Sequence, residues 1–109
     1  MLSKDKSLSN SLEIRSVLNS KRRDGLYFNV FYRPSQSFRI CVIVSKKVSK
    51  SSVKRNYMKR LVKSFCVKEF FCNKNRKDFF DIVILVRKSF TKANRREVIQ
   101  ELINLCKYI

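Results

Sequence analysis

The chain contains no histidine, one glycine, one proline and only 8 acidic residues. Each shortage excludes something. Without histidine there is no imidazole to serve as a general base or to complete a zinc site. The single glycine, Gly25, cannot build a glycine-rich phosphate loop. The acids form no paired-carboxylate motif, since Asp78 and Asp81 read as solvated acids closing a loop, and no cysteine stands beside a base. The chain alone is therefore expected to be catalytically empty. No stretch approaches the roughly 20 apolar residues that a membrane span needs. Met1 to Asn10 has no apolar run suited to a signal peptide. A cytoplasmic location without membrane contact is expected. Cys41, Cys66, Cys72 and Cys106 lack two-residue spacing, which argues against metal ligands or a disulfide framework, and Cys41, Cys66 and Cys106 read as small core hydrophobes.

What the chain has in excess is positive charge: 26 Lys and Arg give +18 over 109 residues. A field of that size attracts nucleic acid or an anionic membrane. The 44% hydrophobic content, with nine Phe, argues against a disordered basic tail. The length suits a single domain over residues 1–109, with residues 1–7 as a polar tail. Abundant Lys, Asn, Ile and Phe is also what codon bias in an AT-rich genome would give. Such a bias does not account for Arg55 and Arg60 beside Asn56.

Leu8, Leu12, Ile14, Val17 and Leu18 predict a short helix from Leu8 to Asn19, and Ser20 to Gly25 reads as a basic turn. Leu26 to Arg33 reads as an aromatic-rich strand, and Pro34 to Ser37 as a turn short enough for a hairpin. Phe38, Ile40, Val42 and Val44 then alternate through a second strand, apolar enough to be central. A long helix is expected from Ser51 or Ser52 to Phe71, with Val53, Tyr57, Met58, Leu61, Val62 and Phe65 inward. Cys72 to Asp78 is a charged loop, and Phe79 to Val86 is a strand buried on both faces. Thr91 or Asn94 caps a last helix that turns Val98, Ile99, Leu102, Ile103 and Cys106 inward. The order helix, two strands, long helix, strand, helix predicts an α+β fold, a two-layer α/β sandwich with one sheet face at least partly open.

The long helix carries the chemistry. At about 100° per residue, Arg55, Lys59 and Lys63 form one row, flanked by Asn56 and Arg60. Arginine offers planar two-point contacts to phosphate, and asparagine can bond a base edge or a 2′-hydroxyl. Lys46, Lys47 and Lys50 precede the helix and add phosphate contacts. A charged face that merely faces water mixes signs for i, i+4 pairing, yet Ser45 to Lys68 holds no acid. RNA is the polyanion this surface suits best.

Lys46-Lys47-Val48, followed by Val53-Lys54-Arg55-Asn56-Tyr57-Met58-Lys59-Arg60-Leu61-Val62-Lys63, resembles the signature of the bacterial ribonuclease P protein component. The resemblance covers roughly residues 7 to 107, and Arg87-Lys88 matches the family's strand exit. There are departures. Ser49 and Ser52 stand where Gly and Ala are usual, Lys63 replaces an Arg, and Ile14 and Leu18 occupy the places of a Phe pair. The resemblance implies an accessory subunit of a ribonucleoprotein endonuclease. Its catalytic centre and bound Mg2+ would belong to a large RNA, with no metal held by protein side chains alone. The protein, monomeric within the complex, would bind that catalytic RNA through Lys46, Lys47, Lys50, Arg55, Asn56, Lys59, Arg60 and Lys63. It would also hold the 5′ leader of precursor tRNA, promoting the hydrolysis that yields the mature tRNA 5′ end. The leader cleft would be lined by Ile14, Leu18, Phe31, Cys41 and Ile43, with Phe31 the stacking residue. A left-handed crossover around the long helix is implied as well. A basic ribosomal protein has similar size and charge but needs no role for the sheet face. A helix-turn-helix DNA binder would need a short turn between two helices, which the chain lacks, and a membrane-active helix would not carry strands.

Overall fold

Phe79–Val86 is the strand around which the rest is arranged. Its apolar run is buried on both faces from Asp81 through Ile84, and such a strand is stable only inside a sheet. The computed structural model describes residues 11–36, 38–71 and 79–106. These form α1 (Ser11–Leu18), β1 (Lys21–Asp24), β2 (Phe28–Ser35), β3 (Arg39–Val44), α2 (Ser52–Cys66), β4 (Phe79–Val86) and α3 (Arg95–Cys106). A π-helical turn, Val67–Phe71, continues α2, and a 3-10 turn, Lys92–Asn94, leads into α3. The predicted polar tail at 1–7 and the loop from Cys72 to Asp78 lie outside the described residues.

The strand order is β1-β2-β4-β3. β2 pairs antiparallel with β1 and β4, while β3 runs parallel to β4. The expected hairpin between β2 and β3 is therefore not formed, because β4 lies between them. The burial pattern gives the reason. β3 alternates buried and half-buried residues, which suits an edge, whereas β4 needs cover on both sides. Pro34 sits beyond the end of the β1 pairing, where a missing N–H need not cost a ladder bond.

The segment Lys21–Asp24, read above as a turn, is the other edge strand. It has no apolar residue to give a period-two signal, and charged side chains are what keep a short edge from pairing further. Gly25 closes the β1–β2 hairpin, its N–H donating to Phe28 O at 2.7 Å. The Glu101 carboxylate accepts from the backbone N–H groups of Leu26, Tyr27 and Phe28 at 2.6, 2.8 and 3.1 Å. A Cβ at position 25 would stand 2.8 Å from Glu101 Cδ, so the lone glycine sits where a side chain would push that carboxylate away.

One sheet face carries the main core. Phe28, Val30, Ile40, Val42, Ile82, Ile84 and Val86 meet Met58, Val62 and Cys66 of α2 and Val98, Leu102 and Cys106 of α3. This is the expected α+β sandwich. The predicted inward residue Val53 is instead 77% exposed in the first turn of α2. The other face carries a smaller cluster of Val17, Phe31 and Val83, over which α1 packs.

Candidate nucleic-acid interface

The basic helix starts from a fixed turn. Ser51 is its N-cap, with Oγ accepting from Lys54 N at 3.3 Å. Ser51 N donates to Ser49 Oγ at 3.3 Å, and Val48 N to Ser45 O at 3.1 Å. Arg55 closes the arrangement: its Nη1 donates to Ser49 O at 2.9 Å and to Lys50 O at 3.1 Å. Arg55 thus organises the turn with one nitrogen. Lys46, Lys47 and Lys50 stand exposed on it, so their ammonium groups are displayed from a positioned backbone.

Along α2, Met58, Val62 and Cys66 anchor the inner side, while Asn56 and Arg60 are exposed and Lys59 and Lys63 half-buried. The helix packs on β3, the sheet edge. Lys63 and Lys59, on this helix, lie near enough to Cys41 of the opposite sheet face for their charge to act on it. Burial pushes the Cys41 thiol up from its ordinary pKa, and these two ammonium groups pull it back. Of the row predicted from sequence, Lys59 and Lys63 lie near the second sheet face, while Arg55 is held at the turn.

That face is a ladder of aligned rows. Strand register places Arg33, Asp81 and Arg39 side by side, then Phe31, Val83 and Cys41, then Asn29, Leu85 and Ile43. The first row is an ion-pair network. Asp81 is 1% exposed and takes Arg39 Nε at 2.8 Å, Arg39 Nη2 at 2.9 Å and Arg33 Nε at 3.0 Å. The same arginines reach α1: Arg39 Nη1 donates to Glu13 Oε2 at 2.8 Å, and Arg33 Nη1 to Ser16 Oγ at 2.7 Å. Burial alone would raise the Asp81 pKa, but the hydrogen bonds from Arg39 and Arg33 outweigh it and hold the carboxyl below its ordinary value. The sequence reading of Asp81 as a solvated loop acid is corrected. An acid inside a doubly buried strand needs an opposite charge at hydrogen-bond distance, and this one has two.

The apolar rows form the floor. Ile14, Phe31, Cys41 and Ile43 share one cluster, joined by Val17, Val83 and Leu85. Leu18 does not join them and is 36% exposed, because Val17 is the α1 residue that turns inward. Phe31 is 8% exposed, packed with Val17 and Val83, so it offers no open ring face for stacking here. Because α1 sits mainly over β1, β2 and β4, the less covered strip is Cys41, Ile43 and Leu85. The strip is apolar, with α1 on one side and the α2 lysines on the other. Val17 was visible in the helix pattern, whereas Val83 and Leu85 needed the sheet order before they had a face.

Among the described residues, no group of His, Cys, Asp or Glu is arranged to hold a metal ion, and no helix is long and apolar enough to cross a membrane. Cys41, Cys66 and Cys106 remain as thiols. The exposed chemistry is cationic beside apolar, which suits a single-stranded polyanion with bases to bury.

The chain was compared with known proteins. A family model described as ribonuclease P matches residues 2–109. The ribonuclease P protein component of Chromobacterium violaceum is 36% identical over 94 residues, spanning 83% of this chain and 74% of its own. That of Mycoplasma pneumoniae is 30% identical over 94 residues, spanning 84% and 76%. Among solved structures, the RNase P protein of Thermotoga maritima superposes with a TM-score of 0.72 at 25% identity, over 94% of this chain and 96% of its own. The Staphylococcus aureus RNase P protein gives 0.77 at 18% identity over 94% of each, a likeness of fold alone.

Proposed function

The chain belongs to the ribonuclease P protein family, and from that premise we propose that it is the protein component of ribonuclease P, the tRNA-processing endonuclease. In this reading it binds the catalytic RNA through the turn and outer side of α2, and holds the 5′ leader of precursor tRNA in the strip between α1 and α2. It works in the cytoplasm, as one copy per RNA. Cleavage of the phosphodiester bond, yielding the mature tRNA 5′ end, takes place in the RNA subunit. In this reading Mg2+ is bound mainly by the RNA, and no step of the protein's own work runs through it.

One observation carries this reading: the basic helix α2 packs on β3, the edge strand whose half-buried Cys41 and Ile43 belong to the less covered apolar strip. An RNA-binding protein with no use for the sheet face needs no such adjacency. Lys59 and Lys63 neutralise leader phosphates, while Cys41, Ile43 and Leu85 take base faces without reading their edges. Leader binding is then expected to depend on length and salt more than on sequence. Phe31 supports the floor from beneath rather than stacking.

The test is the affinity of the protein–RNA complex for precursor tRNA against mature tRNA. A preference for the precursor that falls when Lys59 and Lys63 are both replaced by Ala supports the reading. Equal binding of the two tRNAs by the unaltered complex would overturn it.

A further inference from the structure

β3 and β4 are parallel and in register, Val44 opposite Val86, so the chain leaves both at the same end of the sheet. Ser45-Lys46-Lys47 follows one exit and Arg87-Lys88 the other, and Lys92, Arg95 and Arg96 come next. Sequence order separates the two exits by about 40 residues, and the topology brings them to one end.

The second exit is held in place. Phe90 is buried against Tyr27, Phe28 and Tyr57, with ring centroids at 6.2, 5.7 and 6.4 Å. Arg87 Nη1 donates to Gly25 O at 3.0 Å, and the Lys88 ammonium lies 5.5 Å from the centre of the Tyr27 ring. Thr91 and Asn94 form a capping box, Thr91 Oγ1 accepting from Ala93 N and Asn94 Oδ1 from Thr91 N. The cations here are thus fixed to the core and not carried on a loose tail.

They are also uncompensated. Lys88, Lys92, Arg95 and Arg96 are exposed, and none has an ion pair among the described residues. The acids of α3 are engaged elsewhere. Glu97 accepts from the Tyr27 hydroxyl at 3.1 Å, and Glu101 takes the hairpin amides. Arg95 and Arg96 in the first turn of α3 oppose its dipole, a conflict that a bound anion would relieve.

We infer that Lys88, Lys92, Arg95 and Arg96 form a second RNA-phosphate contact, continuous round the sheet end with Lys46 and Lys47 but separate from the α2 row. This rests on the proposed RNA-binding function and extends it. The partner chemistry is the sugar–phosphate backbone of folded RNA, contacted without base reading. It is supplied by the catalytic RNA, since the rim shares one end of the sheet with Lys46 and Lys47, the turn assigned above to that RNA.

The experiment uses the full chain with Arg95→Gln and Arg96→Gln together, Arg60→Ala in parallel, and a bacterial ribonuclease P RNA titrated over a range of KCl. Neutral residues at the start of α3 relieve the dipole conflict, so the thermal midpoint should hold or rise, which separates weakened binding from failed folding. Affinity at fixed salt should fall about tenfold, and the slope of log K against log salt should shrink by roughly 0.7–0.9 for each phosphate no longer neutralised. A second arm measures precursor tRNA binding to the preformed complex. A loss in the first arm supports the contact with the catalytic RNA, and a loss confined to the second overturns it in favour of precursor tRNA. If both arms match the parent while Arg60→Ala lowers its slope, the rim is refuted and the proposed function stands. If Arg60→Ala is also silent, both fail.

Discussion

Replacing Asp81 should undock α1 from the sheet. Its carboxylate is the hub of a network in which two arginines bridge β4 to β2 and β3 and then reach Glu13 and Ser16. Asp81→Ala leaves two guanidinium groups facing each other without their shared counter-charge. Removing one partner of a buried pair costs about 3–5 kcal/mol. The arginine side chains are about a quarter exposed, at 26% and 25%, so water recovers part of the loss and the lower end applies. An expected loss of about 3 kcal/mol is a large share of the roughly 5–15 kcal/mol that holds a domain together. It would lower the thermal midpoint by roughly 10–20 °C. The folded pKa of Asp81 lies below its unfolded value of about 3.9, so the stabilisation is complete above that value and fades as pH falls through the folded pKa. Asp81→Asn should therefore be less stable at neutral pH and show a flatter loss of stability in acid. Denaturant unfolding followed by circular dichroism from about pH 3 to pH 7 measures both, and hydrogen exchange at Val17 reports α1 docking. An Asp81→Asn protein with the parent's midpoint and acid limb, and unchanged protection in α1, would refute the latch.

Arg60→Ala should leave the thermal midpoint unchanged, since the side chain is exposed, and reduce the salt slope of RNA binding by about one phosphate contact. Ile43→Ala should narrow the preference of the complex for precursor over mature tRNA by roughly fivefold, the worth of trimming part of an apolar surface, with mature tRNA binding unmoved. Glu101→Ala strands the amides of Leu26, Tyr27 and Phe28 and should cost about 2–3 kcal/mol by denaturant unfolding, whereas Gly25→Ala, which only displaces the carboxylate, should cost less. Ser51→Ala removes the N-cap of α2 and should cost about 1 kcal/mol in the same assay.

Where side-chain pattern and structure agree, the pattern is strong. Phe79–Val86 is legible because eight largely apolar residues leave little alternative to a doubly covered strand. α2 is legible because Met58, Val62 and Cys66 keep helical spacing after a serine cap. Lys21–Asp24 is not legible, since an edge strand built from charged residues carries no periodic signal. Sheet order is not legible either. A short Pro-containing link favours a hairpin locally, and only the competition between β3 and β4 for the central place decides against it. The candidate site divides the same way. The cations of α2 are readable from spacing and the absence of acids. Which α1 residue turns inward, Val17 and not Leu18, depends on how that helix is rotated by Arg33 and Arg39. Those ties run between residues far apart in the chain, where spacing gives no guide.

Whether this protein assists a catalytic RNA in removing the 5′ leader of precursor tRNA is decided by cleavage with a bacterial ribonuclease P RNA at low Mg2+, with and without the protein, across substrates whose leaders are progressively shortened. The expected result is protein-dependent release of the leader, with a stimulation that declines as the leader no longer spans the Cys41, Ile43 and Leu85 strip. Cleavage that is indifferent to the protein, or stimulated equally at every leader length, would contradict it.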